Sequence, residues 1–339
     1  MSTLSNTLRI VTGALALLFI VVIANPAAAQ QRNPDGSVNP TASAVREQQL
    51  LQELQKVQGR VTIPNANAGV LIQPAGQNWR QFHEVTLRWI GGIAIVGMLI
   101  LLVAFYLIRG MIRISSGRSG RTITRFNAFE RFVHWMTATC FIILAITGLN
   151  ITFGRPLLMP LMSAEAFTTW SEFAKYAHNF VSFPFTIGVV LIFLMWITGN
   201  IPNRVDVEWI KRGGGIVGDD HPPAYRFNAG QKMIYWIVVI GGAAVAITGY
   251  ILMFPFYGDI TVSGMQTAQV VHSVVSMLFI AAMLAHIYIG SIGMEGAFEA
   301  MGTGEVDVNW AREHHSLWLD EEMRNRDAAP TGARATPAE

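Results

Sequence analysis

The sequence predicts an all-α membrane protein: a four-helix bundle, one further spanning helix ahead of it and an N-terminal export signal. Three observations predict this. The 339 residues are 52% hydrophobic and only 14% charged, with a mean hydropathy of +0.38; an ordinary soluble domain carries about 25% charged residues. Five apolar runs follow one another, each of about 20 residues, enough to cross a hydrocarbon core of about 30 Å as a helix. Lysines and arginines crowd into alternate loops. A soluble enzyme and a disordered chain are both excluded. The single cysteine, Cys140, excludes intramolecular disulfides, thiolate-held iron–sulfur clusters and a Cys-x-x-Cys-His haem attachment.

The elements follow in order. Residues 1–29 read as a signal peptide: Arg9, an apolar run from Ile10 to Ile23, then Pro26 and Ala27-Ala28-Ala29. Residues 30–88 form a polar, glutamine-rich segment. Within it Leu50, Leu54 and Val57 recur at helical spacing, which predicts a short amphipathic helix between Val45 and Gln58. The first span is 89–108 and a loop, 109–131, follows it. Residues 132–294 hold the other four spans, at about 132–153, 180–200, 233–254 and 270–294, and 295–339 is a polar tail. Helices are expected because lipid offers the backbone no hydrogen-bond partners.

Charge orients the spans. The loop 109–131 carries Arg109, Arg113, Arg118, Arg121, Arg125 and Arg131 against one acid, Glu130. The third loop holds Arg204, Lys211, Arg212, Arg226 and Lys232, whereas the second has only Arg155 and Lys175 and the fourth has none. The positive-inside rule places the first and third loops and the tail in the cytoplasm, and residues 30–88 in the periplasm of a bacterial inner membrane.

Four of the eight histidines lie at or within spans: His134, His178, His272 and His286. Ionisable groups at membrane depth are costly and mark function. By depth, His134 belongs to the cytoplasmic side, and His178 and His272 to the periplasmic side. His286 lies fourteen residues after His272 on the same helix, a rise of about 21 Å and close to four turns. Both rings therefore share one helix face near opposite surfaces. His272 can pair with His178, and His286 with His134. Two stacked imidazole pairs inside a bundle suit two bis-histidine b haems. Small residues such as Ser273, Ser276, Ala282 and Gly290 leave room for a porphyrin. A single zinc site does not suit two distant pairs. His83 reads as interfacial, His221 as a loop residue, and His314 and His315 as solvated.

The chain resembles the gamma subunit of respiratory formate dehydrogenase, a membrane cytochrome b, from about Arg125 to Trp318. The resemblance rests on Glu130-Arg131-Phe132-Val133-His134-Trp135, Ala177-His178-Asn179-Phe180 and Asn200-Ile201-Pro202. It continues through Asn228-Ala229-Gly230-Gln231-Lys232-Met233, the His272/His286 helix, and His314-His315 with Trp318. It implies a four-helix core with two b haems. His134 and His286 would hold the cytoplasmic-side haem, and His178 and His272 the periplasmic-side haem. It also implies a quinone beside the inner haem, at Asn228 and Gly230. Asn228 can donate to a quinone carbonyl, and Gly230 permits close backbone approach. A competing assignment makes Asn228 only the N-cap of the fourth span, with Lys232 as an interface anchor.

The implied partners are an iron–sulfur beta subunit and a catalytic alpha subunit with molybdenum or tungsten, both periplasmic, and membrane quinone. No formate-oxidising centre lies on this chain, and no nucleic-acid partner is expected. The signal, residues 30–88 and the first span are additions to the short form of that family. Two other readings remain open: the cytochrome b subunit of a hydrogenase or other periplasmic reductase, and a haem-free anchor or transporter.

Overall fold

The computed structural model describes residues 74–215, 220–258 and 260–328. The expected signal and the expected amphipathic helix of 45–58 lie outside them. The chain divides into two compact units, Met1–Arg80 and Gln81–Glu339. In the first, the described residues are 74–80 of helix α1 (Pro74–Gln81), whose last residue belongs to the second unit.

In the second unit a π turn, Phe82–Thr86, holds His83 and leads into α2 (Leu87–Arg109), the expected first span. A short strand, β1 (Thr122–Thr124), precedes α3 (Ala128–Leu157). Next come α4 (Ala164–Trp196) and the short α5 (Arg204–Lys211). The fourth span is two helices, α6 (Ala229–Trp236) and α7 (Gly242–Met253), joined by a π turn at Ile237–Gly241. The fifth is α8 (Val262–Tyr288), extended by a π turn to Gly293. The chain closes with α9 (Glu299–Gly302), β2 (Glu305–Asp307), α10 (Val308–His314) and α11 (Ser316–Ala328). Five helices are long and apolar enough to cross a membrane among the described residues.

Two helices begin well before the apolar runs that announced them. α4 starts at Ala164 rather than 180, because Ser163 caps it: its hydroxyl accepts from the Ala166 N–H. α8 starts at Val262 rather than 270, capped in the same way by Thr261. Hydropathy detects only the part of a helix that lies in hydrocarbon. The 33 residues of α4 rise about 50 Å, well beyond that layer. His178 and His272 therefore sit inside their helices, not at their starts.

Small residues set the helix spacing. A Cβ at Gly188 would collide with the Thr137 hydroxyl, and one at Gly242 would fall 2.9 Å from Val189, so α3, α4 and α7 close up there. A Cβ at Gly91 would lie 2.8 Å from the Met277 sulfur, which is how α2 packs onto α8. Midway along the bundle Cys140, Phe185, Val189, Phe279 and Met283 form a buried apolar layer, with Phe141 against Phe279 at 4.8 Å between centroids.

The polar loops and tail form a folded cap at one end. β1 pairs antiparallel with β2, Ile123 opposite Val306, both buried. Glu313 accepts the Ser115 and Ser116 N–H groups, each at 2.9 Å, and so folds the loop onto the tail. Glu130 closes a capping box with Asn127 and also accepts from Trp196 Nε1 (2.8 Å) and Arg226 (2.9 Å). Arg125 is 3% exposed and lies 5.3, 5.4 and 5.0 Å from the ring centres of Phe126, Trp310 and Trp318. Its Nε and Nη1 have no hydrogen-bond acceptor among the described residues; aromatic faces stand in their place. Burial, then the neighbouring Arg226, pushes this guanidinium down to about 9, with Glu130 opposing.

The tail histidines correct an expectation: they are buried, not solvated. His315 is fully buried and its role is determined by its neighbours. The Tyr225 carbonyl, 2.8 Å from Nδ1, can only accept, so Nδ1 carries the hydrogen. Nε2 then accepts from Arg125 Nη2 at 3.0 Å. Burial first, then Arg125, holds His315 well below its ordinary value. Burial likewise lowers His314 to about 4, with His221 and Arg125 lowering it further and Glu313 opposing. The polar average of the tail hides this, because the buried Trp310, Ala311, Trp318 and Leu319 are scattered among polar residues.

A histidine with a depressed folded value contributes stability above its unfolded value of about 6.5, and loses it as pH falls toward the folded one. For His314 the window runs down to about 4. The protection factors of the amides in residues 305–319, exchange measured against the unstructured rate at each pH, should therefore fall as pH drops through that range, and less so in a His314→Leu chain. Protection that stays flat in the wild type contradicts this account.

Candidate haem-binding site

Two pairs of imidazoles face each other in the bundle. His134 of α3 and His286 of α8 have ring centres 6.2 Å apart at 64°. His178 of α4 and His272 of α8 repeat the arrangement at 6.2 Å and 69°. These are the pairings that depth and the fourteen-residue spacing predicted. A metal–imidazole bond is about 2 Å, so two rings sharing one metal have their centres roughly 6 Å apart. The observed separations fit iron held between the two rings of each pair. Among the described residues no cluster of three or more His, Cys, Asp or Glu side chains is placed to hold a bare metal ion.

The second pair is held by groups the sequence reading did not single out. The Thr147 hydroxyl donates its one hydrogen to the Ile143 carbonyl (2.7 Å), so its oxygen accepts from His178 Nδ1 at 2.8 Å. His272 Nδ1 lies 3.0 Å from the Val245 carbonyl and 3.1 Å from Thr248 Oγ1, whose hydrogen goes to Ala244 at 2.6 Å. A carbonyl only accepts, so here too Nδ1 carries the hydrogen. In both rings Nε2 is then left with its lone pair, as a metal ligand requires. Beside each threonine a glycine makes space. A Cβ at Gly148 would fall 3.3 Å from His178 Cε1, and one at Gly249 3.2 Å from His272 Cε1. A signal for these residues was present: Ala-Ile-Thr-Gly occurs twice, at 145–148 and 246–249. Of the small residues expected to make room, Gly290 has nothing within 4 Å of a Cβ built on it, and Ser273 and Ser276 turn their hydroxyls to the α8 carbonyls of Gln269 and His272.

The first pair differs. His134 Nδ1 is buried with no hydrogen-bond partner among the described residues. This pair lies at the capped end of the bundle, where Trp135 Nε1 donates to the Met301 carbonyl (2.8 Å) and Arg131 to the Gly302 carbonyl (2.7 Å).

Asn228 caps α6: its Oδ1 accepts from the Gln231 N–H at 2.9 Å, and Gln231 returns a bond to the Asn228 N–H. Its side-chain oxygen is thereby occupied, and its amide hydrogens remain as the donor group. Gly230 is needed by protein as well, since a Cβ there would lie 3.1 Å from the Trp209 indole of α5. Lys232 is not an interface anchor. It is 4% exposed and donates to Asp206 (2.8 Å) and the Ile201 carbonyl (3.1 Å), tying α5 to α6. His221 stands on the cap, 3.1 Å from the Ser115 hydroxyl.

A membrane helix bundle with facing imidazoles, at the spacing of two ligands on one iron, defines a membrane cytochrome b. The chain belongs to the prokaryotic cytochrome b561 family, whose model matches residues 125–304. It is similar to the formate dehydrogenase cytochrome b556(fdo) subunit of Escherichia coli strain K12, with 30% identity over 203 residues, 59% of this chain and 93% of that protein. It is also similar to the nitrate-inducible formate dehydrogenase cytochrome b556(Fdn) subunit of the same strain, 26% identical over 205 residues (59% and 92%). The formate dehydrogenase cytochrome b556 subunit of Haemophilus influenzae is 26% identical over 212 residues (60% and 85%). The family match begins after α2, so the first span lies outside it.

Gly249→Val puts two methyls where one Cβ already meets the His272 ring. Overpacking of this kind, costing about 1–3 kcal/mol, should displace the ring and lower bound haem, read by pyridine haemochrome against protein. Unchanged haem would show that the ring does not depend on this glycine.

Proposed function

We propose that this chain is the membrane cytochrome b (gamma) subunit of a formate dehydrogenase, holding two b haems and passing electrons from formate oxidation to quinone. One observation carries the reading: a single helix, α8, presents two histidines, and each meets a partner ring at the spacing of an iron held between two imidazoles. The names of the relatives supply formate. The catalytic alpha subunit with molybdenum or tungsten and the iron–sulfur beta subunit are separate chains on the periplasmic side, near His178 and His272.

When bound, each haem supplies a one-electron carrier. The chain does the rest. Two imidazoles per iron leave no open position, which confines the site to electron transfer. The apolar layer of Cys140, Phe141, Phe185 and Phe279 keeps water out between the two pairs. The cap end, rich in arginine, lies in the cytoplasm, with Asn228 and Gly230 beside the inner pair as the quinone site. There the Asn228 amide hydrogens donate to a quinone carbonyl, and protons enter from the cytoplasm. Moving an electron inward against the membrane potential costs about 2.3 kcal/mol per 100 mV, which the redox drop from formate to quinone supplies.

His272→Ala should remove one haem and keep the other in purified membranes; retention of both refutes the pairing. Asn228→Asp keeps the capping oxygen but loses the amide donor. It should raise the quinone KM at unchanged haem content, and quinone kinetics equal to wild type would place the quinone elsewhere.

A further inference from the structure

The two histidine pairs have the same ring spacing but different surroundings. At the His178–His272 pair both Nδ1 hydrogens are taken up, by Thr147 Oγ1 at 2.8 Å and by the Val245 carbonyl and Thr248 Oγ1 at 3.0 and 3.1 Å. At the other pair His134 Nδ1 is buried with no partner among the described residues. The two threonines occupy equivalent places. Each ends an Ala-Ile-Thr step, precedes a glycine that faces the same ring, and donates its own hydrogen to the carbonyl four residues back. That donation leaves each hydroxyl oxygen free to accept the ring's Nδ1 hydrogen.

We propose that Thr147 and Thr248 are positioning residues that set the electronic character of the haem between His178 and His272, by accepting its ligands' Nδ1 hydrogens. The inference rests on the haem-ligand reading above. An acceptor on the far nitrogen of a metal-bound imidazole locks the ring's tautomer and orientation and makes the ligand more basic. A more basic ligand favours the oxidised iron, so this haem has the lower midpoint potential of the two. The pair with the buried, unpartnered Nδ1 has the higher. Electrons arriving at the His178–His272 end are thereby directed toward the other.

The test is a spectroscopic redox titration of the purified full chain with its two haems resolved, alongside electron paramagnetic resonance of the oxidised irons. Thr147→Val and Thr248→Val keep the side-chain shape and delete the hydroxyl acceptors, leaving His272 the Val245 carbonyl alone; Thr147→Ser and Thr248→Ser restore them, and the shift is expected to be larger for Thr147→Val and largest in the double valine form. The valine forms should shift the lower midpoint upward and alter one low-spin ferric signal, with the higher midpoint unmoved. The serine forms should titrate like wild type. Haem lost in the valine forms but kept in the serine forms also supports the acceptor role. Two haems with unshifted midpoints in the valine forms overturn it, as does haem loss in both valine and serine forms, where volume alone would be at issue. His178→Ala or His272→Ala that retains both haems instead refutes the ligand reading beneath it.

Discussion

One helix face governs this molecule. His272 and His286 project from α8 fourteen residues apart, close to a whole number of turns, and the bundle must present a ring to each. α3 does so at one end with His134 and α4 at the other with His178. That demand explains the close approach elsewhere. α3, α4 and α7 are drawn together at Gly188 and Gly242, because side chains there would hold apart the helices that carry the rings.

The glycines fall into two functional groups. Gly91, Gly188 and Gly242 let helices touch, whereas Gly148 and Gly249 face imidazole edges. In a membrane, where burial of apolar surface does not drive helices together, such small residues and interhelical hydrogen bonds carry the packing. The Thr186–Tyr250 bond (2.8 Å) between α4 and α7 is one such contact. The cap at the other end is held by different forces. There a cation among aromatic faces, a neutral histidine and a carboxylate that accepts from three residues join loop segments remote in sequence.

The spans and the histidine pairs were legible in the sequence because both obey a period: about 20 apolar residues to cross lipid, and 3.6 residues to a turn. The starts of α4 and α8 were not, since capped turns outside the hydrocarbon leave no hydropathic trace. The cap was not legible either. Arg125 and His315 read as a loop charge and a solvated tail residue; the ring faces of Trp310 and Trp318, 185 and 193 residues beyond Arg125, the Arg125–His315 bond and the Tyr225 and Arg226 carbonyls together make their burial tolerable. The threonines stood in plain view as a repeated tetrapeptide, but a hydroxyl in a helix ordinarily bonds its own backbone. Its second role appears only when a histidine on another helix comes within reach.

Both pairs are imidazoles at the same 6.2 Å spacing, so as proposed haem ligands the rings themselves do not make the two sites different. A wire across a membrane needs them to differ in the proposed orientation, because an electron moving inward climbs the membrane potential. The difference must come from what surrounds each ring. At one end two hydroxyls and a carbonyl meet the Nδ1 hydrogens; at the other His134 Nδ1 has no such partner among the described residues. In the proposed wiring, direction is a property of the helix facing each histidine rather than of the histidine, and a repeated Ala-Ile-Thr-Gly step is a compact way to build it.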